Sequence, residues 1–98
     1  MLRISAIESA DNGTTLRLEG QLAGPWIEEL NRACEHVLVT HRRLTLDLGD
    51  VSLIERPGLA LLASLSRRSV ALVRCSPFQV EQLRQAAAAH HEITTTIP

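Results

Sequence analysis

The chain has 98 residues, 45% of them hydrophobic, and a formal net charge of -1. That length holds one domain with a modest core. The near-neutral balance argues against a nucleic-acid binder held by bulk charge, which would present a strongly basic face. All ten basic residues are arginine, which reflects coding bias more than chemistry.

Met1-Leu2-Arg3-Ile4-Ser5 shows no charged region followed by a long apolar run, and no later segment approaches the length of a membrane span. The expectation is a cytoplasmic protein with no membrane insertion. Leu2 to Glu8 predicts a first strand, Asp11-Asn12-Gly13 a hairpin turn, and Thr14 to Leu22 the partner strand with Leu16, Leu18, Gly20 and Leu22 on one face. Gly24-Pro25 opens a helix running to Val37. On it Trp26, Leu30, Ala33, Cys34 and Val37 recur at helical spacing, while Glu28, Glu29, Arg32 and Glu35 fall largely elsewhere. Trp26 reads as a core aromatic covering the sheet; exposed, it would mark a contact site.

Leu44, Leu46 and Leu48 then alternate with Thr45 and Asp47, and Val51, Leu53 and Ile54 follow, so a second buried strand leads into a turn. Pro57 suits a first helical position, and its effect on the preceding residue makes Arg56 the expected N-cap. Gly58 allows a close approach to the first turn, and Glu55 sets negative charge at the positive end of the helix dipole. The helix is Leu-rich and ends at Arg67 and Arg68.

Cys75 falls on a predicted late strand. Ser76-Pro77-x-Gln79 has the form of a capping box with Pro at the first helical position, opening a third helix expected to bury Val80, Leu83 and Ala87. The Ala86 to Ala89 run favours helix, and Ile93 to Ile97 reads as a final short strand. Strands separated by helices imply parallel pairing, with the opening hairpin supplying the antiparallel part.

No segment carries the chemistry of an enzyme. His36, His41, His90 and His91 match no metal-ligand spacing and read as solvated helix-end residues. Asp47 and Asp50 flank the strand end as turn formers rather than as an acid/base pair. Gly-rich phosphate loops and nucleophile elbows are missing. Cys34 and Cys75 read as small buried residues of a reduced compartment. No catalytic residue, metal or cofactor is expected.

The run from Leu46 to Leu62 resembles the STAS domain, the fold of sulfate-transporter C-terminal domains and of bacterial anti-sigma factor antagonists. In that family a strand ending in a pattern like Leu-Asp-Leu-Ser-x-Val-x-Phe-Ile is followed by Asp-Ser-Ser-Gly-Leu, whose first Ser is phosphorylated by a partner kinase. Aligned on Gly58-Leu59, the family's Asp falls on Glu55, its phosphorylated Ser on Arg56 and its second Ser on Pro57. The acceptor hydroxyl is gone, and a permanent cation is the opposite of what phosphoserine presents. Leu16 to Leu22 resembles the family's second strand, Pro25 to Val37 its first helix, and Cys75 to Leu83 its late strand and following helix. The resemblance implies one α/β domain over residues 1–98, a mixed sheet with an N-terminal hairpin and helices packed on it.

It also implies that Glu55, Arg56, Pro57, Gly58 and Leu59 form a partner-binding face with no phosphorylation at Arg56. A turn that has lost a regulatory role is the plainer reading; recognition of a partner carboxylate or phosphate by Arg56 is preferred, since guanidinium suits bidentate contacts. Ser52, Ser64 and Ser66 lie near the turn, but none replaces the missing hydroxyl in position. Three functions stand: a non-enzymatic regulatory module resembling an anti-sigma factor antagonist, partnered by an anti-sigma kinase-like protein; a STAS subunit on the ATPase of a lipid-transport ABC system; and a small-ligand or nucleotide sensor binding an anion at the helix N-terminus. A homodimer would form through the sheet edge or the Leu-rich helix.

Overall fold

The computed structural model describes residues 1–40 and 42–95. Strand β1 (Leu2–Glu8) turns into β2 (Gly13–Leu22), helix α1 (Pro25–Leu38) follows, and β3 (Arg43–Ile54), α2 (Arg56–Arg67), β4 (Ala71–Val73) and α3 (Pro77–Thr95) complete the chain. The sheet order is β1-β2-β3-β4. The hairpin pair β1–β2 is antiparallel, and both helix-separated pairs, β2–β3 and β3–β4, are parallel. This is the mixed α/β sheet expected when a two-strand turn is followed by helical crossovers.

The alternation of the strands sorts the side chains. Leu16, Leu18, Leu22, Leu44, Leu46 and Leu48 are buried and form one cluster with Leu30, Cys34 and Val37 of α1 and Leu62 and Leu65 of α2. Trp26, Ile27 and Ala33 pack against its margin half-buried. Arg3 and Arg17 are exposed from the opposite phase, and Arg17 pairs across strands with Asp50 at 2.7 Å.

Beyond Leu48 the period of two in β3 fails. The β2–β3 register shifts between Arg17 and Glu19 and again between Gly20 and Gln21, each time with an extra residue on the β3 side. Such bulges reset which residues face inward. Val51 and Ile54 are therefore buried while Leu53 is 49% exposed, although all three read as one apolar group in the sequence.

Several expectations are corrected at the C-terminal end. The late strand stops at Val73, so Cys75 lies past it, half-buried against the core. The capping box forms as expected: the Ser76 N–H donates to Gln79 Oε1 at 3.0 Å, and the Gln79 N–H donates to Ser76 Oγ at 3.1 Å. Yet α3 buries little of its expected stripe, because it lies along α2 rather than on the sheet; Leu83 is half-buried, while Val80 and Ala87 are exposed. Its buried first-turn side chain is Gln79, whose Nε2 donates to the Val51 carbonyl at 3.1 Å. No strand occupies Ile93 to Thr95, where α3 simply continues, its alanine-rich run carrying high helix propensity. The remainder of that expected strand lies outside the described residues, as does His41.

Candidate functional site

The β3–α2 turn is shaped by Glu55 rather than by Arg56. Glu55 is the N-cap, with φ -72° and ψ 160°, and Arg56 is the first helical residue, which moves Pro57 to the second position. The Leu59 N–H donates to the Glu55 carbonyl at 3.0 Å, closing the first helical turn one residue earlier than expected. Pro fits either place because the first N–H groups of a helix have no intrahelical acceptor.

Glu55 also fastens the neighbouring loop. Its own N–H donates to the Leu22 carbonyl at 3.0 Å, and its Oε1 accepts the Gly24 N–H at 2.8 Å. Gly24 is the N-cap of α1 with φ 57°, a left-handed conformation glycine adopts without a Cβ penalty. The starts of α1 and α2 are thus tied together by one exposed carboxylate.

Of the five residues assigned to a partner face, Glu55, Arg56 and Pro57 are exposed, Leu59 is half-buried on the core, and Gly58 is buried. Gly58 presents nothing to a partner. A Cβ there would meet Leu22 Cγ at 3.0 Å and Ile54 Cγ2 at 3.1 Å, so the missing side chain seats α2 on the core. None of the ion pairs among the described residues involves Arg56.

Beside the turn, an open groove of about 540 Å³ runs between α1 and α2, lined by Gly24, Ile27, Glu28, Asn31, Glu55, Pro57 and Leu61. Sequence reasoning missed Ile27, Asn31 and Leu61 as surface residues; the only local signal was that both helices open on a Pro beside the same pair of strand ends. The lining contains two carboxylates and no cation, which disfavours an anion at this place.

The remaining candidates find structural roles. Asp47 Oδ1 accepts the Gly49 N–H at 2.9 Å and Oδ2 lies 3.2 Å from Arg74 Nη1. The hydrogen bond and charge of Arg17 hold the Asp50 carboxyl below the usual carboxylate range, so it is no proton donor near neutrality. Burial pushes the Cys34 thiol up to about 12, and the Cys75 thiol is raised for the same reason; neither is an activated nucleophile. His36 is exposed in the last turn of α1. Ser52 donates to the Gly20 carbonyl at 3.2 Å, Ser64 is half-buried within α2, and Ser66 is exposed on it. No group of three or more metal-ligating side chains forms among the described residues, and none of their helices is long and apolar enough to cross a membrane.

Helices packed about a mixed sheet, with an exposed strand-to-helix turn at one end, define a small α/β domain. The chain belongs to the STAS family: the family model described as "Mlab, STAS domain" matches residues 5–95. No curated protein matches it. Among solved structures it is similar to the anti-sigma factor antagonist SpoIIAA in its unphosphorylated form. The TM-score is 0.69 at 13% identity, over 84% of this chain and 82% of that one. It is also similar to an uncharacterised protein of the DUF3478 family with a SpoIIAA-like fold from Shewanella loihica PV-4. There the TM-score is 0.56 at 16% identity, over 87% of this chain and 75% of that one. At these identities the likeness is one of fold.

Proposed function

We propose that this chain is a non-enzymatic, cytoplasmic protein-binding module of the anti-sigma factor antagonist kind, one that is not switched by phosphorylation at residue 56. Glu55, Arg56 and Pro57 supply the contact, and Gly58 and Leu59 hold them from beneath. The observation carrying this reading is Arg56 itself, an exposed guanidinium on the first turn of α2 that takes part in no ion pair among the described residues. Such a group is available for a bidentate bond to a carboxylate or phosphate on a partner. The partner of this reading is a kinase-like anti-sigma protein.

A second reading is favoured by one finding. The matching family model carries the Mlab description, whereas the anti-sigma antagonist is a neighbour in fold alone; the other STAS branch considered above is the subunit seated on a lipid-transport ATPase. The anion-sensor reading has less support, since the groove at the helix start is lined by carboxylates.

An affinity pull-down of the tagged chain from its own lysate, beside Arg56→Glu, tests the proposal. Recovery of a sigma-regulatory kinase that the variant loses supports the first reading, and recovery of a transporter ATPase supports the second. Recovery by both chains alike removes Arg56 from the contact. Thermal stabilisation by a small anion, with no protein recovered, would favour the sensor.

A further inference from the structure

The α1–α2 groove offers more than the turn beside it. Its apolar lining is the half-buried Ile27 and Leu61 with the exposed Pro57, and the exposed Glu28 and Glu55 stand beside them. We propose that this groove receives a helical segment of the protein partner, with an apolar side chain seated on that lining and an arginine or lysine one turn away meeting the two carboxylates. The inference rests on the reading of the chain as a docking module and names the chemistry of what docks.

Three features select this occupant. First, the carboxylates are unequal but both available. Glu55 is held in place through its Oε1 by the Gly24 N–H at 2.8 Å, leaving its second oxygen for an incoming donor. Glu28 pairs with Arg32 at 3.3 Å, but both side chains are largely exposed, and such pairs contribute little and exchange readily. Second, the groove lining contains no residue of the edge strands β1 and β4, so an added strand finds no backbone ladder here; an amphipathic helix needs none, since its backbone is already bonded and it docks by its apolar face. Third, a small molecule needs enclosure over most of its surface, which an open groove does not give, whereas a protein segment brings its own cover.

Short random peptides biased toward helix, displayed on phage and panned on the intact chain with counter-selection on Leu61→Asp, test the proposal. The expected winners carry Leu, Ile, Met or Phe with Arg or Lys three or four residues away, the spacing that places both on one helical face. Their affinity should fall about tenfold on Glu28→Lys, a loss of about 1.4 kcal/mol, and should not fall on Arg3→Ala, an exposed position on β1 outside the groove. Glu28 is exposed, so Glu28→Lys keeps the fold and its effect is not one of unfolding, a point that circular dichroism checks. Enrichment no better than on Leu61→Asp, winners without a basic bias, or winners indifferent to Glu28→Lys would each overturn the groove assignment. A lysate partner lost on Arg56→Glu, with no peptide enriched, sinks the groove and leaves the docking reading standing; peptides enriched without any Arg56-dependent partner keep the groove and remove Arg56 from the contact.

Discussion

Helices α2 and α3 begin alike, each with a proline in its first turn after a strand end, yet they are secured in opposite ways. α3 is held by its own side chains, with Ser76 and Gln79 capping each other and Gln79 reaching on to the Val51 carbonyl. α2 has no side-chain cap bond. It is seated by Gly58 packing on Leu22 and Ile54, and its N-cap carboxylate turns away to the start of α1. A helix start that uses its polar groups on itself is a stability device. One anchored from beneath keeps Arg56 and Pro57 free at the surface, which is what the proposed docking role of the α2 turn requires.

The sharpest way to break the contrast is to fill the space that seats α2. Gly58→Leu inserts a branched side chain where even a Cβ sits 3.0 Å from Leu22 Cγ. We expect a loss of about 3 kcal/mol, read as a lower urea midpoint with an unchanged slope. At α3, Gln79→Ala strips the Val51 carbonyl of its partner in a buried setting and the Ser76 N–H of its partner in a half-buried one. Its expected cost is about 2 kcal/mol. If Gly58→Leu proved harmless, α2 would be anchored by something other than this close approach.

What was legible beforehand follows the same division. The capping box, the hairpin and the Leu30-Cys34-Val37 stripe are written in neighbouring residues, and local rules read them. Gly58 could be read as allowing a close approach, but not as an approach to Leu22, which is remote in sequence. Glu55 could be placed near a helix dipole but not tied to Gly24, a contact created only when the β2 and β3 ends meet. The start of α2 was misplaced by one residue because Pro is tolerated at both of the first two helical positions. Val80 and Ala87 were assigned to the core on periodicity, which reports a face of the helix and not whether the sheet lies opposite it. The bulges of β3 likewise hid the exposure of Leu53.

A milder change sharpens the contrast from the α3 side. Ser76→Ala removes only the hydroxyl that accepts the Gln79 N–H and leaves the bond from Gln79 to Val51 in place. A loss of about 1 kcal/mol is expected, smaller than that of Gln79→Ala. Equal losses would mean that the Val51 contact adds nothing.

The smallest effect on stability should come from the residue on which the proposed function turns. Arg56 is exposed, and its side chain joins none of the ion pairs or hydrogen bonds among the described residues, so Arg56→Ser should shift unfolding by no more than about 0.5 kcal/mol. The same change deletes a cation and supplies a hydroxyl at the position that the resemblance aligns with the family's phosphorylated serine. If the turn docks a partner through the guanidinium, recovery of that partner should fall although the fold is intact. Phosphopeptide mapping after incubation with a partner kinase should find nothing at the turn of the wild-type chain. Unchanged recovery with Arg56→Ser would reduce the turn to a helix start that differs from α3 only in how it is held. Lost recovery with unchanged stability would separate the two helix starts by function as well as by anchoring, because no change at Ser76 or Gln79 should affect the partner without first weakening the fold.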